Sequence, residues 1–284
     1  KICVVYVVNN QFIRIHSMKK AILILSLFAF ISCKEKEPAP VPTPTCNIGS
    51  ETGVNNAYKL DYLYNTNGLP QGLNVSVKDN ASGQLKSVAT AQYTYENNRL
   101  VKVVDGEVEE KLEYNTQGAL TRLTVVKTPE SAYVNYTLNF ETDANQRIVK
   151  VTDSKGIQTT IKRDTQGNIT ETLTTDTRTN QELYRIVLSG YDNKKSVYEA
   201  FKGWSFSVLG YYADYIKFPL FTTSAGGNAT KRTDYEAGKA ITEITYTYTY
   251  NTTNFPLSEQ SLTKFLDGSG ISTYSKTFTY ADCK

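Results

Sequence analysis

Histidine, methionine and tryptophan each occur once in the 284 residues, as His16, Met18 and Trp204. The first two fall in an N-terminal stretch that the mature protein is expected to lack. A chain without His cannot run a Ser-His-Asp or Cys-His mechanism and cannot build a His-based metal centre. Other signatures are missing too. There is no phosphate-cradling Gly-rich loop, no G-x-S-x-G and no D-x-D-x-D-G calcium loop. The acids Asp143, Asp153, Asp164, Asp176, Asp192 and Asp214 are scattered, several at expected turns, and no two share a spacing suited to glycan hydrolysis. No catalytic residue, metal or cofactor is therefore assigned, and the chain is read as a non-enzyme. Charge of one sign is also absent. Of 31 basic residues, Lys1, Arg14, Lys19 and Lys20 lie in residues 1–32, which hold no acid; the other 27 face 28 acids, a net of −1. With no Lys/Arg cluster, a nucleic-acid partner is not expected. What is plentiful is Tyr, 21 residues, alongside Thr. Both favour pleated, half-buried surfaces.

The N-terminus reads as an address. Residues 1–17 precede Met18, the only start codon residue, and read as a non-native upstream extension. Residues 18–32 form a signal peptide: Lys19 and Lys20, then an apolar run from Ala21 to Ile31 broken by Ser26, too short to span a bilayer comfortably. Phe30-Ile31-Ser32-Cys33 resembles a bacterial lipobox, with Phe30 where Leu is usual, so Cys33 is the expected lipidation site. A plain membrane anchor or an ordinary cleaved signal is the alternative. Residues 33–48 form the tether. Pro38, Pro40, Pro42 and Pro44 make it extended and semi-rigid, holding the body about 20–35 Å from a membrane at ~3.1 Å per residue. Lys34-Glu35-Lys36-Glu37 resembles the surface-export signal of Bacteroidetes lipoproteins, or is simply a solvated start to the tether.

Residues 49–284 carry internal repetition. Tyr64-Asn65-Thr66-Asn67-Gly68-Leu69 returns as Tyr114 through Leu120 and as Arg163 through Ile169. Looser copies run from Tyr95 to Leu100 and from Phe140 to Ile148, with remnants at Tyr191-Asp192-Asn193 and Tyr250-Asn251-Thr252-Thr253. Before each turn the residues alternate, as in Tyr58, Leu60, Tyr62, Tyr64 or Ile244, Tyr246, Tyr248, Tyr250, which sets the aromatics on one strand face. Asn or Asp opens the turn by accepting from a backbone N–H two residues on, and Gly supplies positive φ. The expected fold is all-β: an antiparallel hairpin-repeat array forming a curled or shell-like sheet. Residues 192–228 break the rhythm. Val208, Leu209, Tyr212 and Ile216 fall near helical spacing, so a short, partly helical aromatic insertion is expected there, with strands resuming at about 229–235, 240–250, 256–265 and 271–280.

The turn motif resembles YD-type repeats. From Phe218-Pro219-Leu220 through Ile244–Tyr250, Phe255-Pro256 and Phe278-Thr279-Tyr280, the chain resembles the hairpin-repeat lipoproteins of Bacteroidetes, a family of unknown function. The resemblance implies antiparallel hairpins and a lipid anchor, and no catalytic residues.

Two sites follow. Trp204, Tyr211, Tyr212 and Tyr215 in the insertion are the candidate ligand-binding residues, able to stack on sugar rings or anchor a protein; the other reading makes them a hydrophobic cap on the sheet. Cys46 and Cys283, one at each end of the body, are the candidate disulfide in an oxidising compartment, against two free thiols at distant ends. The expected function is non-enzymatic binding of a glycan or protein by a lipid-anchored envelope protein. It would sit at the periplasmic or surface face of the outer membrane, joined to it through Cys33. The alternatives are a structural or accessory lipoprotein partnering an outer-membrane protein and, more distantly, a glycan-active enzyme.

Overall fold

The computed structural model describes residues 46–127, 136–197, 227–281 and 283. The chain divides into two units, Lys1–Thr43 and Pro44–Lys284, and the described residues belong to the second. They hold no α-helix; a 3-10 turn lies at Val54–Asn56. The helical spacing at Val208–Ile216 lies outside the described residues.

Sixteen strands follow in order. The first eight are β1 (Asn47–Gly53), β2 (Tyr58–Tyr64), β3 (Pro70–Lys78), β4 (Leu85–Glu96), β5 (Arg99–Asp105), β6 (Val108–Tyr114), β7 (Leu120–Lys127) and β8 (Tyr136–Thr142). They continue as β9 (Ile148–Asp153), β10 (Ile157–Arg163), β11 (Ile169–Asp176), β12 (Gln181–Ser189), β13 (Lys231–Glu236), β14 (Lys239–Tyr250), β15 (Pro256–Phe265) and β16 (Gly270–Ala281). Each pairs antiparallel with its neighbours in sequence, and β1 pairs with β16, so the sheet closes into a barrel. This corrects the expected open, curled sheet. The array is a hairpin meander, but its ends meet: Asn47 lies opposite Ala281, and the ladder runs to Gly53 opposite Lys276. An open array would leave two unpaired edges, and closure removes both. Cys46 and Cys283 are joined by a disulfide beside this seam, their Cα atoms 4.1 Å apart across 237 residues of sequence.

One turn geometry repeats along one end of the barrel. The Asn65 side-chain oxygen accepts from the N–H groups of Asn67 and Leu69. Asn115 does the same with Gln117 and Ala119, Asp143 with Asn145 and Arg147, Asp164 with Gln166 and Asn168, and Asn251 with Thr253 and Phe255. The fourth residue of these turns has positive φ: Gly68, Gly118 and Gly167, but also Gln146 and Asn254. A register shift beside each turn marks a bulge, which a three-residue loop of this type brings. Between Glu96 and Arg99 the loop is only two residues, Asn97 and Asn98, both at positive φ as a type I′ turn demands. Tyrosines tie neighbouring repeats at this end. Tyr64 donates its hydroxyl to the carbonyl of Ile48, Tyr114 to Leu100, Tyr191 to Ile169 and Tyr280 to Pro256.

Period-two alternation splits the wall into two faces. One row of partners runs Tyr93, Val103, Glu110, Val125, Tyr136, and another Leu112, Leu123, Leu138, Asp153. These positions point inward and are buried; Val103 and Leu123 are 0% exposed. The opposite face carries ion pairs in water, within a strand for Lys59 with Asp61 and Lys111 with Glu109, and across strands for Lys102 with Glu109, Arg122 with Glu113, Lys150 with Glu141, and Lys162 with Glu171. A sixteen-strand ring is wide enough to leave an aqueous channel. Most of the described inward side chains from β3 to β10 are nonetheless buried, among them Leu73, Val75, Val103, Leu123 and Leu138.

The turn makes a paired prediction. Gly118 sits at φ +89, and an added Cβ would meet only the mobile Arg99 guanidinium at 2.5 Å, so the backbone decides the cost. Gly118→Val should destabilise by about 1–2 kcal/mol. Gln146 occupies the equivalent position at φ +62. Gln146→Gly should be neutral or stabilise by up to about 1 kcal/mol. Urea denaturation of both variants checks the shared geometry; equal losses would refute it.

Candidate functional site

Inside the barrel the wall has two characters. From β3 to β10 it is mostly apolar, with Asp105, Glu110 and Asp153 among its inward residues. From β13 through β16 to β2 it carries tyrosines and charges. Tyr248 lies opposite Glu259, Glu259 opposite Lys276, and Lys276 opposite Gly53, a cross-strand row over four strands. The Tyr58 ring lies across Gly53, where a Cβ would stand 2.4 Å from it, and the Tyr274 hydroxyl reaches the same spot. Glycine is needed here for space, since its own φ is ordinary. Tyr58 donates to Glu51 at 2.5 Å. Burial, then the Glu51 charge, drives the Tyr58 phenol far up. Lys276 reaches Glu259 at 3.4 Å. Burial still lifts the Glu259 carboxyl above its ordinary range, against the pull of Lys276.

Beside this row Tyr246, Tyr248 and Tyr250 form a ladder along β14, ring centroids 6.3 and 6.2 Å apart. Arg232 grips Asp234 through two nitrogens at 2.5 and 3.0 Å, and Thr242 donates to the same carboxylate. The tyrosines of this arc are only partly buried, and Tyr274 is 36% exposed.

The ladder ends at the root of the insertion. Asp192 accepts from the N–H of Lys194, two residues on, and from the N–H of Asn228, 36 residues on. The Asp192 N–H bonds the Asn228 carbonyl. Asn228 thus fills the fifth place of the recurrent turn, as Asn168 does four residues after Asp164, down to the amide that each Asn donates to its Asp. The chain between Lys194 and Asn228 is an insertion inside one of the repeated turns. Tyr250 donates to Asp192, closing the root against the ladder.

Trp204, Tyr211, Tyr212 and Tyr215 lie within that insertion and outside the described residues; so does Cys33, in residues 1–45. Cys46 and Cys283 are brought together. Sequence reasoning read Tyr246, Tyr248 and Tyr250 as one strand face but missed what they share it with. The missed signal is phase. Glu259 and Lys276 fall on inward-pointing positions, where an apolar residue is the rule. Glu110 does too, between Val108 and Leu112. It is 1% exposed, and its Oε2 has no hydrogen-bond partner. Burial first, and Asp105 second, push its carboxyl up to about 8.

The fold and wall define a closed up-and-down antiparallel barrel with a polar inner arc. It is similar to a porin-like protein from Bacteroides uniformis, at 14% identity and a TM-score of 0.59, over 84% of this chain and 97% of that one. A porin-like protein from Bacteroides vulgatus matches at 9% identity over 83% of this chain and 99% of that one, with a TM-score of 0.38 that carries no weight. No family model matches the chain. No curated protein matches it in sequence. The resemblance to hairpin-repeat lipoproteins is therefore corrected. The barrel similarity stands in its place, because the repeated turns belong to a closed sixteen-strand sheet. At this identity the likeness establishes fold alone.

Two measurements probe the site. The folded protein keeps the Glu110 proton at pH values where the unfolded chain has released it. The stability this provides is full below about pH 4.5 and is lost as pH rises through about 8. Stability should fall by up to about 1.4 kcal/mol per pH unit across that window, and Glu110→Gln should remove that slope in denaturation curves. Second, replacing residues 195–227 by one Gly gives Asp-Asn-Lys-Gly-Asn, close to Asp164–Asn168. The shortened chain should keep a β far-UV spectrum and a cooperative melt; loss of both would show that the insertion is not a turn graft.

Proposed function

We propose that this chain is a lipid-anchored, non-enzymatic binding protein of the bacterial envelope, whose partly exposed inner arc takes a glycan. The barrel stands in water, tethered through Cys33, and does not span the bilayer. The charged outer wall carries this part of the reading. A membrane barrel turns an apolar band about 25 Å tall to lipid and keeps its interior polar. Here Lys59, Asp61, Lys102, Glu109, Lys111, Glu113, Arg122, Lys150 and Lys162 face outward on strands between β2 and β10, and the buried apolar cluster faces in. A pore through the membrane, as the name of the Bacteroides uniformis protein invites, fits that wall poorly.

The glycan reading rests on the row of Tyr248, Glu259, Lys276 and Tyr58 with the Tyr246–Tyr250 ladder. Tyrosine offers an apolar ring and a polar tip, and the flanking carboxylates and ammonium supply hydrogen bonds for hydroxyl groups. The arc's cations are matched to acids, Lys276 with Glu259 and Arg232 with Asp234, which suits an uncharged, polyhydroxylated ligand.

Cys33→Ser should release the protein from membranes into a detergent-free soluble fraction, since one Cys carries the whole anchor. A glycan array probed with that protein should give saturable binding, and the Tyr246→Ala/Tyr248→Ala pair should weaken it at least about tenfold. Retention in the membrane after a carbonate wash would refute the tether. Absence of saturable binding to any glycan would refute the ligand.

A further inference from the structure

A second strip of the inner wall, on β2 and β4 to β6, has a different chemistry. It carries Tyr64, Tyr93, Tyr95 and Tyr114 with Asp105 and Glu110. Tyr93 sits at the centre, close enough to feel the charges of Tyr95, Glu110, Asp105 and Tyr64. Every acid in the strip is held in its neutral form more tightly than in water, burial being the first cause each time. Tyr64 and Tyr93 are pushed up strongly, Tyr95 and Tyr114 to about 12, and Asp105 above its usual range. Two oxygens have no hydrogen-bond partner, Glu110 Oε2 and Tyr95 Oη, and Glu110 is 1% exposed.

Among the described side chains, cations are scarce around it. Arg99 stands over the Tyr114 ring at 5.9 Å, at the end nearest the turns. Lys102 and Lys111 belong to the outer face, paired with Glu109. Lys127 stands in register with Val108 at the other end. Between these ends lie four phenols and two carboxyls among Leu73, Val75, Val103 and Val125. An unpaired carboxyl in such a wall is costly, and a cation against it offsets part of that cost and favours the carboxylate.

We propose that this strip binds an organic ammonium ion, with the Glu110 carboxylate as its counter-ion and the Tyr64, Tyr93 and Tyr95 rings as its walls. Aromatic faces attract quaternary and primary ammonium groups through the ring quadrupole, and the apolar neighbours suit the alkyl groups such an ion carries. A bare metal ion fits less well, because among the described residues no three His, Cys, Asp or Glu groups converge on one point. The site uses different residues from the glycan wall, which it meets at β2, and does not depend on that reading.

The test is calorimetric titration of the full chain with choline and with 3,3-dimethylbutan-1-ol, its uncharged isostere. Choline should bind saturably and at least about tenfold tighter than the alcohol. Glu110→Gln should erase that preference, with a far-UV spectrum and melt confirming the fold and with glycan binding unchanged. Tyr93→Leu, which keeps the acid and removes a ring, should weaken choline about fivefold or more. Choline affinity should also rise from pH 6 to pH 9, as the Glu110 proton leaves to solvent and the carboxylate pairs with the bound cation. No measurable choline binding, equal binding of the two probes, or choline affinity unchanged in Glu110→Gln would each overturn the proposal.

Discussion

The β1–β16 ladder is the contact on which the rest of the barrel depends. The other pairings join strands that are neighbours in sequence, and a short connection makes most of them nearly unavoidable; β12 and β13 are joined across the insertion instead. Only this one joins residues more than 220 apart. Without it the meander would end in two strands with unpaired N–H and C=O groups, open to fraying or to pairing with another chain. With it, inside and outside become distinct, and every alternating strand has a consistent direction in which to place its apolar residues. The Cys46–Cys283 bond sits where this contact is made. A cross-link closing so long a loop removes much of the freedom the unfolded chain would otherwise regain.

Closure also explains the distribution of charge. Lysines and acids alternate with tyrosines and aliphatics along the same strands, so one face must be wet and the other covered. The wet face is the outer one, where ion pairs such as Lys59–Asp61 cost little because water solvates them. The few charges that face inward are exceptions with a structure of their own. Arg232 and Asp234 grip one another, Lys276 reaches Glu259, and Glu110 is left with an unmatched oxygen. A barrel that needed only to be stable would not place a carboxyl between Val103 and Val125.

The recurrent turn is the building block, and its variations locate the specialisation. At the end where it recurs, five copies close within five residues. The sixth opens at Asp192 and closes at Asn228, with the aromatic insertion between. The hydrogen bonds of the standard turn survive at its root, so the insertion interrupts the loop without disturbing β12 or β13. Tyr250, at the top of the tyrosine ladder, bonds to that root. Insertion and inner polar arc thus share one anchoring point, although they are far apart in sequence.

The sequence by itself determined the local structure. Tyr-Asn-x-x-Gly and its Asp variants dictate the turns because Asn and Asp bond to nearby backbone N–H groups and Gly tolerates positive φ; strand phase follows from period-two alternation. The strands at 240–250, 256–265 and 271–280 were legible to within a residue for that reason. The same motifs misled on kinship, because any hairpin meander selects them whether it stays open or closes. Only the tertiary structure decided that β1 meets β16, since no local rule links Asn47 to Ala281. It alone brought Tyr58, Glu51, Glu259 and Lys276 to one wall, residues drawn from both ends of the chain. It also turned Glu110 from one charge in Glu109-Glu110-Lys111 into a buried carboxyl. Its phase was visible between Val108 and Leu112, but its burial depended on a closed wall, which only long-range pairing creates.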